Sequence, residues 1–267
     1  MDLGIRGRVA LIGASGRGLG LATATRLAME GCHIAICDKD TAVLEGALAQ
    51  VKAAATSTGE TIKAFAYPVD LTSAQDIDRL AADVRRDLGP VGILVTNSGG
   101  PPPGGFEEAT DEKWVFAYSL TFLSAVRLIR AVLPDMKAQK WGRIINFTSR
   151  SLREPIPNLI ISNSVRLAVG GMAKTLAGEV AKYGITVNNV CPGPTTTDRA
   201  IELAKARAAK KGISYDEEMA ATVKGIPLGR LAKPEEQAAA VAFLCSEPAG
   251  YVTGISLLVD GGAVQAL

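Results

Sequence analysis

Short, nearly continuous apolar runs alternate along the chain with longer Ala-rich stretches in which apolar residues recur every three or four positions. A run without a polar face suits a strand covered on both sides, and a stretch with one apolar stripe suits a helix laid on a sheet. The pattern predicts strands over 8–12, 33–37, 63–69, 93–96, 142–147, 186–190 and 256–259, with helices over 19–29, 41–55, 73–87, 110–138, 160–182 and 234–246. Regular alternation of this kind feeds a parallel sheet, so the predicted fold class is α/β, a single doubly wound domain over 1–267 with helices on both faces. The Pro/Gly-rich stretch Gly99 to Gly105 follows a strand and reads as a loop at the sheet's carboxyl edge. Residues 194–232 interrupt the alternation with a charged, helix-prone insert, placed where a lid over a substrate would lie.

Composition narrows the function classes. With 48% hydrophobic and 21% charged residues, the 267-residue chain has enough apolar material for a large core and no block of like charge. Lys and Arg total 29 against 27 Asp and Glu, too small an excess for a nucleic-acid footprint. No apolar span approaches the roughly 18 uninterrupted residues of a membrane-crossing helix, and the opening MDLGIRGRVALIG lacks the layout of a secretory signal, so a cytoplasmic location is expected. Cys32, Cys37, Cys191 and Cys245 are scattered without a paired motif, and His33 is the single histidine. No metal site is expected from such a set.

The first strand runs into Gly13-Ala14-Ser15-Gly16-Arg17-Gly18-Leu19-Gly20, which opens directly into a helix. A glycine-rich turn at a helix N-terminus presents backbone N–H groups and the positive end of the helix dipole, a combination suited to a pyrophosphate. Asp38 ends the second strand, twenty residues after Gly18, where a carboxylate can accept both hydroxyls of an adenosine ribose. Asp70, next along the same edge, is placed to reach the adenine.

This turn, Thr96-Asn97-Ser98-Gly99, the run Asn146 to Ser149, Pro192-Gly193 with Thr197, and the closing Val259 to Gly262 together resemble the short-chain dehydrogenase/reductase family, in its order and over essentially the whole chain. The resemblance implies a Rossmann domain with a seven-stranded sheet, a small-molecule substrate, and a homotetramer or homodimer built on helices 110–138 and 160–182. It implies a nicotinamide dinucleotide held by Gly13, Ser15, Arg17, Gly18, Leu19, Gly20, Asp38, Asp70, Leu71, Asn97, Ser98, Gly99, Pro192, Gly193, Thr195 and Thr197. Asn97 matches the residue that ties neighbouring strands, and Thr197 the one that meets the nicotinamide amide. Gly18 and Gly20 match the family's second and third glycines. Ala14 then falls on the first, unless the turn carries a one-residue insertion; an alanine methyl is tolerated there at negative φ, with weakened binding. Asp38 would repel the 2′-phosphate of NADP, whereas Arg17 and Lys39 would attract it, and the carboxylate favours NAD over NADP.

The family's proton relay is Asn, Ser, Tyr and Lys, with Tyr and Lys four residues apart so that they share a helical face. Aligned on Ile161-Ser162-Asn163-Ser164-Val165, the tyrosine and lysine positions fall on Ile161 and Val165, and the asparagine position on Ser119. Ser149 alone survives. Candidate catalytic residues are therefore Ser149, Ser119, Asn163 and Arg153, with Arg150, Arg166, Ser98 and Tyr118 as further polar neighbours. Arginine is no base at neutral pH but anchors carboxylates and phosphates, which points to an anionic substrate. The expected function is an NAD(P)-dependent oxidoreductase acting on a small carbonyl or alcohol, with a nonstandard relay around Ser149. A redox-neutral lyase or isomerase and an inactive dinucleotide sensor stand as alternatives on the same scaffold.

Overall fold

Every apolar run forms a strand and every Ala-rich stretch a helix in the computed structural model, which describes residues 2–266. In chain order the elements are β1 (Val9–Ile12), α1 (Gly18–Met29), β2 (His33–Asp38), α2 (Thr41–Ser57), β3 (Ala64–Pro68), α3 (Ala74–Asp87), β4 (Val91–Thr96), α4 (Asp111–Ala117), α5 (Ser124–Gln139), β5 (Gly142–Phe147), α6 (Ile160–Val180), β6 (Ile185–Pro192), α7 (Asp198–Lys211), α8 (Tyr215–Lys224), α9 (Pro234–Cys245) and β7 (Ser256–Val259). The seven strands are parallel, in the order β3-β2-β1-β4-β5-β6-β7. The order reverses between β1 and β4, so the crevice beyond their carboxyl ends is the natural ligand site of the fold.

Alternate residues of each strand supply opposite cores. Ala10 and Ile12 of β1 pack with Leu27, Ile34, Val51 and Val241, whereas Leu11 joins Leu80, Leu94, Leu128 and Val187 on the other face. The predicted helix 110–138 is a continuous run interrupted by a π turn at Tyr118–Leu123, where Ser124 N–H reaches back to Ser119 O. This run, Asp111–Gln139, is long and apolar enough by length and composition to cross a membrane; here Leu128, Ile129, Val132 and Met136 bury its apolar stripe against the sheet. The insert 194–232 folds as the helical pair α7 and α8. Glu218 of α8 is buried and bonded to Arg207 and Lys211 of α7, each at 2.7 Å.

A row of polar side chains crosses the sheet beneath its carboxyl edge. Thr96 donates to Asn146 (2.8 Å), Asn146 to Asn189 (3.1 Å) and Asn189 to Ser256 (3.0 Å), each pair in register on adjacent strands. Polar groups are tolerated in a sheet buried on both faces because each has its partner.

Candidate active site

The phosphate turn is a close-packed piece of backbone. Gly13 N–H donates to Val95 O (3.0 Å), and a Cβ on Gly13 would lie 2.5 Å from Asn97 O. Asn97 Nδ2 donates to Ala14 O (3.1 Å), tying the segment just beyond β4 to the turn. Ser15 is fully buried, donating to Ile12 O (2.8 Å) and accepting from Cys37 N–H (3.0 Å). A Cβ on Gly20 would meet Ala14 O at 2.5 Å, so α1 sits directly on the turn. Gly13 therefore serves as the tight-turn glycine, and at Gly16 a Cβ would meet Val43 Cγ2 at 2.3 Å and Asp38 Oδ2 at 3.0 Å. The expectation of negative φ at Ala14 is overturned: its φ is +43°, a left-handed conformation costing an L-residue about 1–2 kcal/mol.

Arg17 precedes α1 and offers no side-chain cap, which leaves the first-turn N–H groups, Leu19 and Gly20 among them, available to an anion. Gly18, at φ +58°, faces Thr197, with a Cβ there 3.7 Å from Thr197 Cγ2. Thr197 caps α7 through Ala200 N–H (3.2 Å), so the two helix starts oppose each other across the crevice. Asp38 accepts from Gly16 N–H (3.2 Å) and Asp40 N–H (3.1 Å), which fixes its carboxylate at the tip of β2. The Arg17 guanidinium is ion-paired with Asp40, the residue that caps α2. Asp70 Oδ1 accepts from Thr72 N–H and Oγ1 (2.8 Å each), which holds the carboxyl below its usual range and leaves Oδ2 for a ligand. Leu71 is buried in the core and can contribute only through its backbone. On the far side, Gly193 lets β6 pass Asp260, whose Cα would lie 2.5 Å from a Cβ, just beyond Pro192. The buried Thr195 hydroxyl is engaged with Gly193 O (3.0 Å) and Gln237 (3.3 Å), which assigns it to the scaffold rather than to ligand contact.

Ser149 stands immediately beyond β5, accepting from Ser151 N–H (3.1 Å) at the start of a short 3-10 turn. The Ser151 hydroxyl beside it is buried with no hydrogen-bond partner among the described residues. On α6 the structure corrects the expected relay face by one residue. Ile161 and Val165 turn away from the sheet edge into a small apolar cluster with Ala117 and Trp114. The face that meets the ends of β4 and β5 carries Ser162 and Arg166. Arg166 Nη1 donates to Phe147 O (3.1 Å) and Thr148 O (2.8 Å), Nη2 to Gly99 O (3.0 Å), and Nε to Ser162 Oγ (3.2 Å). Burial, and then the nearby Arg199, push the Arg166 pKa down to about 10.

Three other candidates are placed differently. Asn163 donates to Ile156 O (2.9 Å) and accepts from Ile156 N–H (3.4 Å), so both ends of its amide are consumed in holding the preceding loop and it is not free for catalysis. Ser119 lies half-buried in the π turn, and Arg153 is exposed on the loop beyond β5. Gly99 (φ +77°) and Ser98 begin the loop that crosses the crevice; Arg199 of α7 donates to Gly100 O (2.7 Å), tying insert to loop. Ser162 was not among the candidates; Arg166, four residues after it and named among the polar neighbours, is the one charged residue between Ile160 and Ala173. All four thiols are buried, and burial pushes each up, Cys32 and Cys37 to about 12.

The crevice fits an adenine dinucleotide. It has glycines where a Cβ would collide with backbone, an uncapped helix start for the phosphates, and a fixed carboxylate at the tip of β2. A family model described as enoyl-(acyl carrier protein) reductase matches residues 13–264. The chain is 35% identical over 261 residues to 2,3-dihydro-2,3-dihydroxybenzoate dehydrogenase of Bacillus subtilis, covering 97% of both chains. It is 33% identical to a 3-oxoacyl-[acyl-carrier-protein] reductase of Haemophilus influenzae, covering 97% of this chain and 98% of that one. Among solved structures, L-sorbose reductase from Gluconobacter frateurii, complexed with NADPH and L-sorbose, superposes over 100% of both chains with TM-score 0.92 and 36% identity. NAD+-bound xylitol dehydrogenase superposes over 97% of this chain and 99% of its own, with TM-score 0.89 and 27% identity. Fold, phosphate turn and relatives agree, and the chain belongs to the short-chain dehydrogenase/reductase family of oxidoreductases.

Proposed function

We propose that this chain moves hydride between a nicotinamide dinucleotide and a small carbonyl or alcohol, with the reacting oxygen held beside Ser149. The observation that carries the reading is that one edge holds both the phosphate turn facing Thr197 and the hydroxyl row beyond β5. When bound, the nicotinamide ring supplies or accepts the hydride. The protein's part is to hold the pyrophosphate on the start of α1, bind the ribose at Asp38 and offer a hydroxyl to the substrate oxygen. Asp38, together with the engagement of Arg17 by Asp40, supports NAD over NADP. Arg150, Arg153, Arg166 and Arg199 cluster about this edge and form no ion pair among the described residues, which supports a substrate bearing a carboxylate or phosphate.

The α7–α8 pair serves as the lid, already clasped to the crossing loop through Arg199. Gly171 and Gly178 of α6 face open space, and a groove of about 720 Å³ between α5 and α6, lined in part by Ile129, Leu133, Met172 and Leu176, supports assembly of copies through these helices. Four buried unpaired thiols suit the reducing cytoplasm.

Calorimetric titration with NAD and NADP, followed by absorbance assays against ketones, polyols and hydroxy acids, tests the reading. NAD should bind at least about tenfold more tightly, and a carboxylated substrate should change nicotinamide absorbance. Turnover without an absorbance change would replace the redox reading with elimination or isomerisation. Binding without any turnover would replace it with sensing.

A further inference from the structure

Gly100 lies in the loop that leaves β4 and crosses the crevice, and the space over its Cα is bounded by charge. A Cβ built there would lie 3.5 Å from Arg166 Nη2 and 3.7 Å from Arg199 Nη2, with no other described atom within 4 Å outside its chain neighbours. Its φ lies outside the left-handed region, so the backbone itself does not call for glycine. The missing side chain instead keeps a gap open between two guanidinium groups, one from α6 and one from α7. Neither forms an ion pair among the described residues.

Counting donors shows what such a gap can hold, since a guanidinium carries five N–H groups in a fixed plane. Arg166 gives Nε to Ser162, both Nη1 N–H groups to Phe147 O and Thr148 O, and one Nη2 N–H to Gly99 O, which leaves a single N–H on Nη2. Arg199 spends Nη2 on Gly100 O (2.7 Å) and Pro101 O (3.4 Å), and its Nε and Nη1 have no partner among the described residues. The remaining N–H groups suit the two oxygens of one carboxylate, whose lone pairs offer about four acceptor positions. The charged and titratable groups facing Arg166 are Arg199 and Cys191, with no carboxylate among them, so the local field favours an anion. Arg166 also grips Thr148 O at 2.8 Å, and Thr148 adjoins Ser149, where the reacting oxygen is proposed to sit.

We infer that Arg166 and Arg199 seat a substrate carboxylate in the gap over Gly100, and that the substrate is a short hydroxy or oxo acid; this rests on the redox reading above and names its substrate class. In oxidation the hydroxyl carbon gives its hydride to the oxidised dinucleotide, the O–H electron pair becomes the π bond of the new ketone, and the proton leaves to water. The carboxylate is unchanged and serves only to hold the molecule. Because one arginine is fixed to the ends of β4 and β5 and the other comes from the lid, a seated acid also bridges lid and sheet.

The test uses malonate, which has no ketone or hydroxyl to reduce or oxidise, titrated calorimetrically into the protein at constant ionic strength with and without saturating NAD. Malonate should bind in both states with Kd about 1 mM or tighter, and the neutral isostere malonamide should not bind. Gly100→Ala keeps both arginines and fills the gap, so it should weaken malonate about tenfold or more with a native melting transition and NAD affinity within about threefold. Arg199→Gln should weaken malonate by a similar factor, and Arg199→Lys by less. Equal malonate affinity in the wild type and Gly100→Ala, or no preference over malonamide, would overturn the seat. Loss of malonate on saturation with NAD would reassign it to the phosphates of the dinucleotide, and inorganic phosphate binding about tenfold more tightly than malonate would replace the acid with a phosphate ester; either result overturns the proposal. On a hydroxy acid that is turned over, Gly100→Ala should raise KM about tenfold with kcat within about threefold, and leave KM for its methyl ester unmoved. Malonate binding as expected in a protein that oxidises no hydroxy acid would fault the redox reading alone, because the malonate measurement is independent of it.

Discussion

Two arginines mark the opposite ends of β5, Arg143 buried and Arg166 half-buried, and they are satisfied in different ways. Arg143, at the amino end, stacks with Arg8 on the Trp141 ring, donates to the carbonyls of Gly142, Gly184 and Ser246, and has Glu247 at 3.5 Å as counter-charge. Arg166, at the carboxyl end, also donates to backbone carbonyls, but its nearest charged neighbour is another arginine. A guanidinium beside a carboxylate is neutralised within the fold; one held by carbonyls alone keeps its charge. The comparison separates an arginine neutralised at the foot of the sheet from one that leaves its charge uncompensated at the carboxyl edge.

The largest effect expected from breaking this comparison is at the amino end. Arg143→Met should destabilise by about 3 kcal/mol in urea unfolding, since it orphans three carbonyls and uncovers Trp141. Cofactor affinity per folded molecule should be unchanged. Glu247→Gln gives Arg143 the same unneutralised state as Arg166, and with the carboxylate about half exposed the loss should be about 1 kcal/mol, read in the same assay. Strain at the carboxyl edge is the next test: Ala14→Gly should stabilise by roughly 0.5–1 kcal/mol and tighten NAD in calorimetry, because glycine takes φ +43° without penalty.

The smallest effect is local and inverts the charge pattern. Glu218 is a carboxylate between two cations, and its hydrogen bonds to Arg207 and then Lys211 hold its carboxyl below the usual range. A depressed folded value means that its contribution is complete above the unfolded value near 4.3 and is lost as pH falls through the folded one. Hydrogen exchange should show α7 and α8 losing protection on acidification before the sheet does. Glu218→Gln should make them weakly protected at neutral pH and remove the pH dependence.

The sheet was legible because strands such as Ile144 and Val187 belong to runs with no polar face, and the phosphate turn because glycine leaves a visible trace wherever backbone approaches backbone. The relay face was not. α6 begins at Ile160 behind Leu159, which gives it no side-chain cap, so nothing in the sequence marks its first residue, and each residue of uncertainty rotates a helix by about 100°. That rotation separates Ile161, packed on Ala117, from Ser162, bonded to Arg166. The left-handed Ala14 was hidden for a related reason: several residues of a glycine-rich run can take the turn, and only the coordinates show which one does. Asn163 read as chemistry because amides serve catalysis and loop-holding alike, and its two bonds to Ile156 decide for the second.

The row Thr96, Asn146, Asn189 and Ser256 passes its donors in one direction from β4 to β7. Replacing any interior member with leucine would strand an acceptor on one side and a donor on the other, whereas replacing the set together strands nothing. The four positions are thus bound into one unit of inheritance: single changes are penalised out of proportion to their size. A lineage altering its substrate pocket above them must keep this row intact or exchange it wholesale.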